Sequence, residues 1–293
     1  MIDWHNFGYS ILALKLGYGH PLVIIASLYE NLFARFAFAH FAVTNVMARV
    51  LKEKYGITAR PLHDRPSAIF KPLDSDERSA FLSRLVETAQ YAKDLSKGPK
   101  GPWRLLVSST SWTADEDFSV LLDALVSYSS LAISKTQLPK ILAIITGKGP
   151  LKEHYLSKIR ALNQEKKLLN VVILTAWLTP EDYALLLGSA DLGISLHTSS
   201  SGVDLPMKVV DMFGAGLPVV GWCKFEAWPE LVKEGVNGRG FQNTEELLHL
   251  LVDLFAEREA DLSNLKKGAL KESSYRWDDE WDGVAGKLFK LVK

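Results

Sequence analysis

The stretch LGISLHTSSSGVDLPMKVVDMFGAGLPVVGW, residues 192–222, carries the pattern that decides the fold. It begins with the apolar run 192–197 and ends with a second apolar run at 217–222. Between them, Pro206 stands where the first position of a helix is expected, because proline suits that position. A short apolar strand, a helix and another short apolar strand predict a βαβ unit with two parallel strands.

The same alternation extends along the chain on the N-terminal side of this stretch. Each apolar run is short and is followed by a polar loop and then a periodic segment, which is typical of a parallel sheet covered by helices on both faces. The predicted strands are 104–109, 141–146, 171–177, 192–197 and 217–222. The helices between them are predicted to begin near Asp117, near Leu151, after Pro180 and at Pro206, and a short one ends at Leu231. The segment 236–241 is predicted to be a turn, and the remainder helical.

A change in composition divides the chain into two lobes. The segment LSKGPKGPW (95–103) combines glycine and proline between two periodic segments and is predicted to be a linker. We therefore expect an N-terminal lobe at 1–97, a C-terminal lobe at 98–275 and a C-terminal helix at 276–293 that packs back on the N-terminal lobe. Within the N-terminal lobe, the predicted helices are 21–36, 46–55 and 77–92, and the predicted strands are 41–45 and 57–62.

Composition excludes several classes of protein. Lysine plus arginine equals aspartate plus glutamate at 34 each, so net charge gives no general attraction to nucleic acid, and no nucleic-acid partner is expected. The chain has one cysteine, Cys223, so it forms no internal disulfide, which fits a reducing compartment. No secretory signal is visible, and no uncharged apolar run is long enough to span a bilayer.

The start of the chain and its most apolar segment lead to two further expectations. The strand-like IDWHN follows Met1 directly, so we expect the N-terminal part of this lobe to lie upstream of the sequence. The segment Pro21–Val43 is the most apolar, although it contains Glu30 and Arg35. Its periodic apolar face, from Ile24 to Phe36, is expected to pack under the sheet of the N-terminal lobe. The alternative is that this face contacts a membrane.

Polar, small and hydroxyl side chains follow four of the predicted strands. These loops contain TSWTADED, TGKGP, AWLTPED and HTSSSGVDLP. In an open parallel sheet, ligands bind beyond the carboxyl ends of the strands, so four such loops together predict a binding site at that edge. The alternative is that the same residues serve only to cap the helices that follow.

The loop before Pro206 has the features of an anion site. The start of a helix presents free amide groups that attract phosphate, and a glycine lets a ligand approach the backbone closely. Lys208 and Asp211 lie three residues apart on one helical face, where the lysine can neutralise phosphate and the carboxylate can accept hydrogen bonds from a ribose diol. The alternative is an exposed ion pair. Asp204 is placed to reach hydroxyls of an attached sugar and is a candidate catalytic residue. The candidate donor-binding residues here are His197, Thr198, Ser199, Ser200, Ser201, Gly202, Lys208 and Asp211.

Further candidates lie in the other strand-end loops. Gly147, Lys148 and Gly149 form a short turn that could line a base or diphosphate pocket. Trp112 and Trp177 follow strands and could stack on a base or sugar, or close the core. His197 is equally compatible with a structural role. The acidic run 115–117 resembles a metal-binding Asp-x-Asp, but helix capping by Asp115 or Asp117 is favoured.

Several segments resemble the GT-B glycosyltransferases. DMFGAGLPVV (211–220) resembles their signature of a carboxylate-bearing helix followed by Gly-x-Pro-Val, and TGKGP resembles the glycine turn of the same donor-binding domain. More narrowly, the blocks 189–219 and 3–17 look like the eukaryotic β-1,4-mannosyltransferases of the dolichol pathway. The segments VTNVMARVLKEKYGI, DRPSAIF, SSTSWTADEDF and RWDDEW are similar to the same family, and together they cover nearly the whole chain.

The resemblance implies an α/β fold of GT-B type, with two Rossmann-like lobes that contain parallel sheets, the N-terminal lobe being incomplete. It implies that Asp211 binds the ribose of the donor. It also implies transfer of mannose from GDP-mannose, with inversion, to O4 of the terminal GlcNAc of dolichol-diphosphate-linked chitobiose. The implied location is the cytosolic face of the endoplasmic reticulum membrane, where other mannosyltransferases of the pathway are candidate partners. Members of the family normally begin with a membrane anchor, which is absent from this sequence.

Inversion implies a single displacement in which a base removes the proton of the acceptor hydroxyl. Asp3 and His5 are the candidates for that base, although a structural role for both is as compatible with the sequence. No tightly bound cofactor is expected, because Lys208 and the helix start would stabilise the leaving diphosphate, although a divalent metal remains compatible with this scheme. Two alternatives stay open: a non-catalytic nucleotide-sugar-binding fragment or regulatory subunit, and a related GT-B enzyme with another donor or acceptor.

Overall fold

We describe the protein from a computed structural model that covers residues 1–98, 101–257 and 259–292. Pro99 and Lys100, in the middle of the predicted linker, lie outside the described residues. The described part contains two parallel sheets, one on each side of that linker.

The larger sheet has six parallel strands in the order β6-β5-β4-β7-β8-β9. Its strands are β4 Trp103–Ser109, β5 Lys140–Thr146, β6 Val171–Ala176, β7 Leu192–Ser195, β8 Val219–Trp222 and β9 Gly238–Phe241. β4 and β5 are buried along nearly their whole length, as expected for strands with helices on both faces. The predicted parallel α/β sheet is confirmed.

The prediction of a turn at 236–241 is wrong, because Gly238–Phe241 forms the edge strand β9. Its glycines are typical of turns in a sequence, but in the structure they allow neighbouring atoms to pack closely against the strand. A Cβ at Gly238 would collide with the carbonyl oxygen of Val219, and one at Gly240 would press on Cys223. Composition alone therefore concealed this strand.

Helices connect the strands of the larger sheet and extend beyond it. They are α7 Phe118–Ser134, α8 Lys152–Gln164, α9 Pro180–Ser189, α10 Met207–Gly214, α11 Trp228–Leu231, α12 Thr244–Val252, α13 Glu259–Glu272 and α14 Trp277–Trp281. Short π-helical turns follow α12 and α14 at Asp253–Glu257 and Asp282–Gly286. Val209, Met212 and Phe213 of α10 are buried in the core, as predicted.

The smaller sheet has three parallel strands in the order β1-β2-β3. The elements of this part are β1 Ile2–Trp4, α1 Gly8–Leu16, α2 Pro21–Ala34, β2 His40–Ala42, α3 Asn45–Tyr55, β3 Arg60–Pro61, α4 Ser75–Arg84, α5 Val86–Ala89 and α6 Ala92–Leu95. The predicted single helix at 77–92 is wrong. Leu85 adopts an extended conformation that ends α4, and the Thr88 hydroxyl bonds to the carbonyl of Leu82 at 2.7 Å.

The two sheets share one continuous hydrophobic core. Met47 and Leu51 of α3 belong to the same buried cluster as Val209 and Phe213 of α10. Polar contacts reinforce this packing. The Thr44 hydroxyl accepts from the Met47 amide, which caps α3, and donates to the carbonyl of Val203 at 2.6 Å. The junction therefore holds the loop that precedes α10 against the smaller sheet.

Acidic side chains of the larger lobe complete the junction. Glu230 accepts hydrogen bonds from the backbone amides of Asn45 and Val46, both at 2.7 Å, at the start of α3. His63 contacts Glu230 at 3.0 Å and Glu280 at 3.1 Å. Ala285, after α14, packs in a small cluster with Phe41 and Leu62 of the N-terminal part.

The expectation that the Ile24–Phe36 face packs under the sheet is wrong. In the structure, α2 buries Val23 and Ala34, whereas the larger apolar side chains from Ile24 to Phe36 are exposed. The sequence period identifies an apolar face correctly but does not indicate which side of the helix meets the protein. Within the described ranges, no helix is both long and apolar enough to cross a bilayer.

Candidate functional site

The loops that follow the strands of the larger sheet contact one another at its carboxyl edge. The Thr198 hydroxyl, after β7, donates to the carbonyl of Asp115, after β4, at 2.5 Å. The turn after β5 lies so close to the β4 loop that a Cβ at Gly147 or Gly149 would collide with its carbonyl oxygens. Glycine at both positions is therefore explained by close packing. The convergence of these loops is as the sequence predicts.

Glu116 is the central residue of this edge, and the sequence analysis did not single it out. Its buried carboxylate accepts hydrogen bonds from the Thr110 hydroxyl at 3.1 Å, from the Ser111 amide at 2.5 Å and from the Ser111 hydroxyl at 2.8 Å. It also pairs with the Lys208 ammonium group. Burial opposes ionisation, but the charge of Lys208 and the hydrogen bonds outweigh it, so the pKa of Glu116 is lowered.

The start of α10 offers unsatisfied amides next to this ion pair. The helix begins at Met207, one residue later than predicted, because Pro206 has an extended conformation and occupies the N-cap position. No group in the described part of the chain accepts a hydrogen bond from the amides of Met207 and Lys208. Such amides at the end of a helix dipole attract anions.

Asp211 lies one turn into α10 and is half-buried. Its carboxylate forms no hydrogen bond or ion pair with any residue that the structure describes. Burial therefore raises its pKa to about 7. Nearby, burial and the charge of Asp211 raise the pKa of Tyr183 to about 12, although the hydrogen bond between its hydroxyl and Ser109, at 2.9 Å, opposes this. A partly buried carboxyl without a partner is a candidate ligand-binding group.

Lys208 and Asp211 thus do not pair with each other. The alternative prediction of an exposed ion pair between them is therefore wrong. Lys208 pairs with Glu116, and the carboxylate of Asp211 has no partner among the described residues.

The serine-rich loop before α10 is held by its own side chains. Asp204 is buried, and its two oxygens accept from His197 at 3.0 Å and from the Ser199 hydroxyl. Burial alone would raise its pKa, but these hydrogen bonds outweigh that effect and the pKa is lowered. The structure thus places His197 and Asp204 together, and both carboxylate oxygens of Asp204 are already engaged.

Two amides of this loop are used within it, and one of them, the Gly202 amide, belongs to the segment 199–202 that was expected to offer amides to phosphate. The Gly202 amide donates to Ser199 Oγ at 2.8 Å, and the Val203 amide donates to Ser201 Oγ at 3.4 Å. Among the described residues, the amides of Ser200 and Ser201 have no partner. The candidate donors for an anion are therefore those two amides and the amides at the start of α10.

Residues of the N-terminal lobe contact the serine loop directly. Asn6 Nδ2 donates to Ser200 Oγ at 3.2 Å, and the hydroxyls of Ser10 and Ser200 lie 3.2 Å apart. Tyr18 donates to the Ser200 carbonyl at 3.1 Å. Sequence analysis missed Asn6, Ser10 and Tyr18, since no local pattern marks residues that meet a loop nearly 200 positions away.

Asp3 and His5 lie in the segment that carries Asn6. His5 contacts Asp3 at 3.3 Å through Nε2 and Asp64 at 3.2 Å through Nδ1. The hydrogen bond with Asp64 is the main reason that the pKa of His5 is raised to about 9, although partial burial opposes the effect. Asp64, which is nearly buried, is a further residue that the sequence analysis did not identify.

The tryptophans have different roles. Trp112 is fully buried and packs on Phe118 and Tyr155. The prediction that it stacks on a ligand is therefore wrong, and the alternative prediction, that it closes the core, is confirmed. Trp177 is exposed, and Lys148 Nζ lies 3.9 Å from the centre of its ring. This pair stands beside the turn after β5 and remains available to a ligand.

Asp117, in the acidic run 115–117, serves as a helix cap. The side chain of Asp117 caps α7 by accepting from the Ser119 amide at 2.9 Å, as favoured from the sequence. Among the residues described, no group of three or more histidine, cysteine or acidic side chains has an arrangement that could hold a metal ion.

A cavity of about 750 Å³ lies at the opposite, amino edge of the larger sheet. Two of its charged lining residues pair with each other: Arg78 contacts Asp191 at 3.3 Å and donates to the carbonyls of Ser189 and Leu95. The carboxyl edge, in contrast, brings together a half-buried acid without a partner in the described chain, amides without acceptors and four loops that follow strands. We therefore place the candidate site at the carboxyl edge.

Comparisons with known proteins identify the family of the chain. The family model described as glycosyl transferases group 1 matches residues 104–257, which include every loop of the carboxyl edge. Chitobiosyldiphosphodolichol beta-mannosyltransferase of Arthroderma benhamiae is 58% identical over 100% of this chain and 66% of its own length. The Arabidopsis thaliana protein named UDP-glycosyltransferase TURAN is 42% identical over 100% of this chain and 71% of its own length.

The fold is also found among solved structures. HepE of Anabaena, in complex with UDP and glucose, superposes with a TM-score of 0.69 at 17% identity, over 98% of this chain and 70% of that one. This likeness confirms the predicted fold class, an α/β fold of GT-B type. The chain spans about two thirds of the length of the Arthroderma relative and 60% to 71% of the other curated relatives it matches. From the family match and these relatives, the chain belongs to the group 1 glycosyltransferases.

Proposed function

We propose that this chain carries the donor site of an inverting mannosyltransferase. The reaction would move mannose from GDP-mannose to O4 of the terminal GlcNAc of dolichol-diphosphate-linked chitobiose, an early step in N-glycan precursor assembly. The observation that carries the proposal is the unpaired, half-buried Asp211, one turn inside a helix whose first amides are free. The names of the most similar curated relatives support the choice of sugar and acceptor.

The donor diphosphate would bind at the start of α10. The amides of Met207 and Lys208 would donate to its oxygens, with those of Ser200 and Ser201 on the other side of the loop. The ammonium group of Lys208 would donate hydrogen bonds both to Glu116 and to the phosphate. Asp211 would accept hydrogen bonds from the two ribose hydroxyls, which would supply the partners that its carboxylate lacks in the described protein.

Transfer would proceed by one displacement. The acceptor O4 forms a bond to C1 of mannose while the bond from C1 to the diphosphate oxygen breaks, and the O4 proton passes to a base. The leaving GDP gains negative charge, which the helix start and Lys208 would stabilise without requiring a metal. No tightly bound cofactor enters this scheme, and a divalent metal on the diphosphate would be compatible with it.

Asp3 is the better of the two candidate bases. The pKa of about 9 keeps His5 protonated near neutral pH, so it has no lone pair to accept a proton. Asp3 is partly exposed, and the segment that carries it meets the donor loop through Asn6. His5, which is held by Asp64, would then position the carboxylate of Asp3 and supply positive charge beside it.

Two other functions remain candidates, each with its own observation. The Arabidopsis relative is named as a UDP-glycosyltransferase, which favours a test of uridine donors against guanosine donors. Because Asp204 is fully engaged within its loop, a nucleotide-sugar-binding protein without turnover is the second candidate. The membrane of the endoplasmic reticulum at its cytosolic face, and other mannosyltransferases of the pathway, are the partners proposed with the main function.

Turnover tests the function directly. The chain is incubated with a lipid-linked chitobiose acceptor and, in separate reactions, with GDP-mannose, GDP-glucose, UDP-glucose and UDP-GlcNAc, and the lipid product is analysed by mass. We expect a gain of one hexose with GDP-mannose only. Product from a uridine donor would replace the donor assignment, and nucleotide binding without any product would favour the non-catalytic function.

Isothermal titration with GDP tests the donor residues. Lys208→Ala and Asp211→Ala should each weaken binding by about tenfold or more, because each loses a hydrogen bond to a charged group. Lys267→Ala and Asp123→Ala serve as matched controls, since both residues are exposed on helices away from the carboxyl edge. Unchanged affinity in both test variants would place the nucleotide elsewhere.

Asp211 should also destabilise the unliganded protein in a pH-dependent manner. Because its pKa is raised from 3.8 to about 7, the folded state binds the proton more tightly, and stability is lost as pH rises through this window. Asp211→Asn should therefore raise the free energy of unfolding at pH 8, by at most about 4 kcal/mol at 1.4 kcal/mol per pKa unit, and have little effect near pH 4. Chemical denaturation of both proteins across this range measures it. A gain that does not vary with pH would contradict the assignment.

If Asp3 is the base, its replacement should reduce the rate of turnover without changing the affinity for GDP. Asp3→Asn should reduce kcat by roughly 100-fold or more while GDP affinity stays unchanged, since a positioned base contributes that much. Asp76→Asn, an exposed carboxylate of the same lobe, is the control. Full turnover by Asp3→Asn would exclude Asp3 as the base.

A further inference from the structure

Helix α2 has its polarity reversed. The side that meets the protein carries Val23, Ser27, Glu30 and Ala34, which are buried or half-buried. The outer apolar face, which we define as Ile24, Ile25, Leu28, Tyr29, Leu32 and Phe33, is exposed at every position. A helix on the surface of a water-soluble domain normally turns its apolar side inward, so a face of this kind marks an interaction surface.

The reversal places the carboxylate of Glu30 against the start of α1. Its Oε1 lies close to Gly8, its Oε2 is buried without a hydrogen-bond partner among the described residues, and burial raises its pKa although the backbone of Tyr9 and Gly8 opposes this. A rotation of α2 that buried the outer apolar face would remove this contact between α2 and α1. The exposure of the face is therefore built into the packing of α1 on α2.

The apolar surface continues beyond α2. Ile11 and Leu14 of α1 are about half exposed, and Phe36 and Phe38, after α2, are exposed by 80% and 82%. This hairpin of α1 and α2 thus presents one apolar surface from both helices and the segment that follows them.

We propose that the outer apolar face of the α1–α2 hairpin binds the surface of a lipid bilayer. Charge favours a bilayer over a protein partner. The exposed charged side chains of residues 8–39 are those of Lys15 and Arg35, both cations, whereas the carboxylate Glu30 is turned inward. Apolar side chains flanked by cations and tyrosines are typical of helices that lie in the interface of an anionic membrane. A protein interface typically has a polar rim around its apolar centre, whereas the exposed charges of this hairpin are two cations.

The hairpin also borders the donor site. Tyr18, in the turn between α1 and α2, donates to the carbonyl of Ser200. A bilayer against the outer apolar face would therefore lie near the serine loop of the proposed donor site, to which a lipid-linked acceptor would bring its diphosphate. Only this functional consequence rests on the proposed function; the reversed polarity of α2 does not.

Vesicle flotation tests the proposal with the described chain. The probes are phosphatidylcholine vesicles with and without phosphatidylinositol. The parent should float with vesicles, and more strongly when the anionic lipid is present. Leu28→Glu combined with Leu32→Glu should reduce the bound fraction by at least about tenfold, since two charges would enter the apolar interface. The matched control combines Ile133→Glu with Leu169→Glu, because exposures of 61% and 58% resemble the 65% and 57% of Leu28 and Leu32.

GDP titration of all three proteins separates this proposal from the donor site. Both double variants should bind GDP like the parent, which also shows that they are folded. Absence of vesicle binding by the parent, or equal binding by the Leu28/Leu32 variant, would overturn the proposal. Sedimentation equilibrium provides a further outcome: a parent dimer that the Leu28/Leu32 variant converts to monomer, without vesicle binding, would assign the face to a second copy of the chain and overturn it as well.

Discussion

The buried carboxylate of Glu116 is the interaction on which the candidate site depends. It holds the loop after β4 through Thr110 and Ser111 and holds α10 through Lys208, so two elements that are 92 residues apart keep a fixed relation. A buried acid with this many partners is costly to disturb, because removal of one partner leaves a charge uncompensated. The pair keeps a cation next to the free amides of α10 before any ligand is present. This prior arrangement would lower the cost of ordering groups around the proposed diphosphate.

The side chains of Asp204 and Ser200 at this edge are engaged by the protein, whereas the carboxylate of Asp211 is not. Asp204 is occupied by His197 and Ser199, and Ser200 is engaged by the N-terminal lobe. Asp211 alone among the candidate donor residues combines burial with a carboxylate that has no partner in the described chain. Binding residues commonly reduce the stability of the free protein in this way, because their partners arrive with the ligand.

Sequence patterns located the fold and the edge of the site but not its internal contacts. Short runs of apolar residues predict buried strands, because a strand that is covered by helices on both faces needs apolar side chains on both sides. When such strands are parallel, their carboxyl ends lie at the same edge of the sheet, so the loops that follow them come together. Glu116 was missed because an acid in a capping loop looks the same whether it faces solvent or a lysine from another helix. The two roles open to Trp112 could not be separated for the converse reason, since its burial against Phe118 depends on tertiary packing. The period of α2 indicated an apolar face, but its direction is set by Glu30 and the start of α1.

A structure of the chain with GDP bound is the most direct test of this account. We expect the β-phosphate within hydrogen-bond distance of the Met207 and Lys208 amides, the Lys208 ammonium group shared between phosphate and Glu116, and both ribose hydroxyls on Asp211. Density for GDP in the cavity at the amino edge of the sheet, beside Arg78 and Asp191, with Asp211 still without a partner, would contradict it.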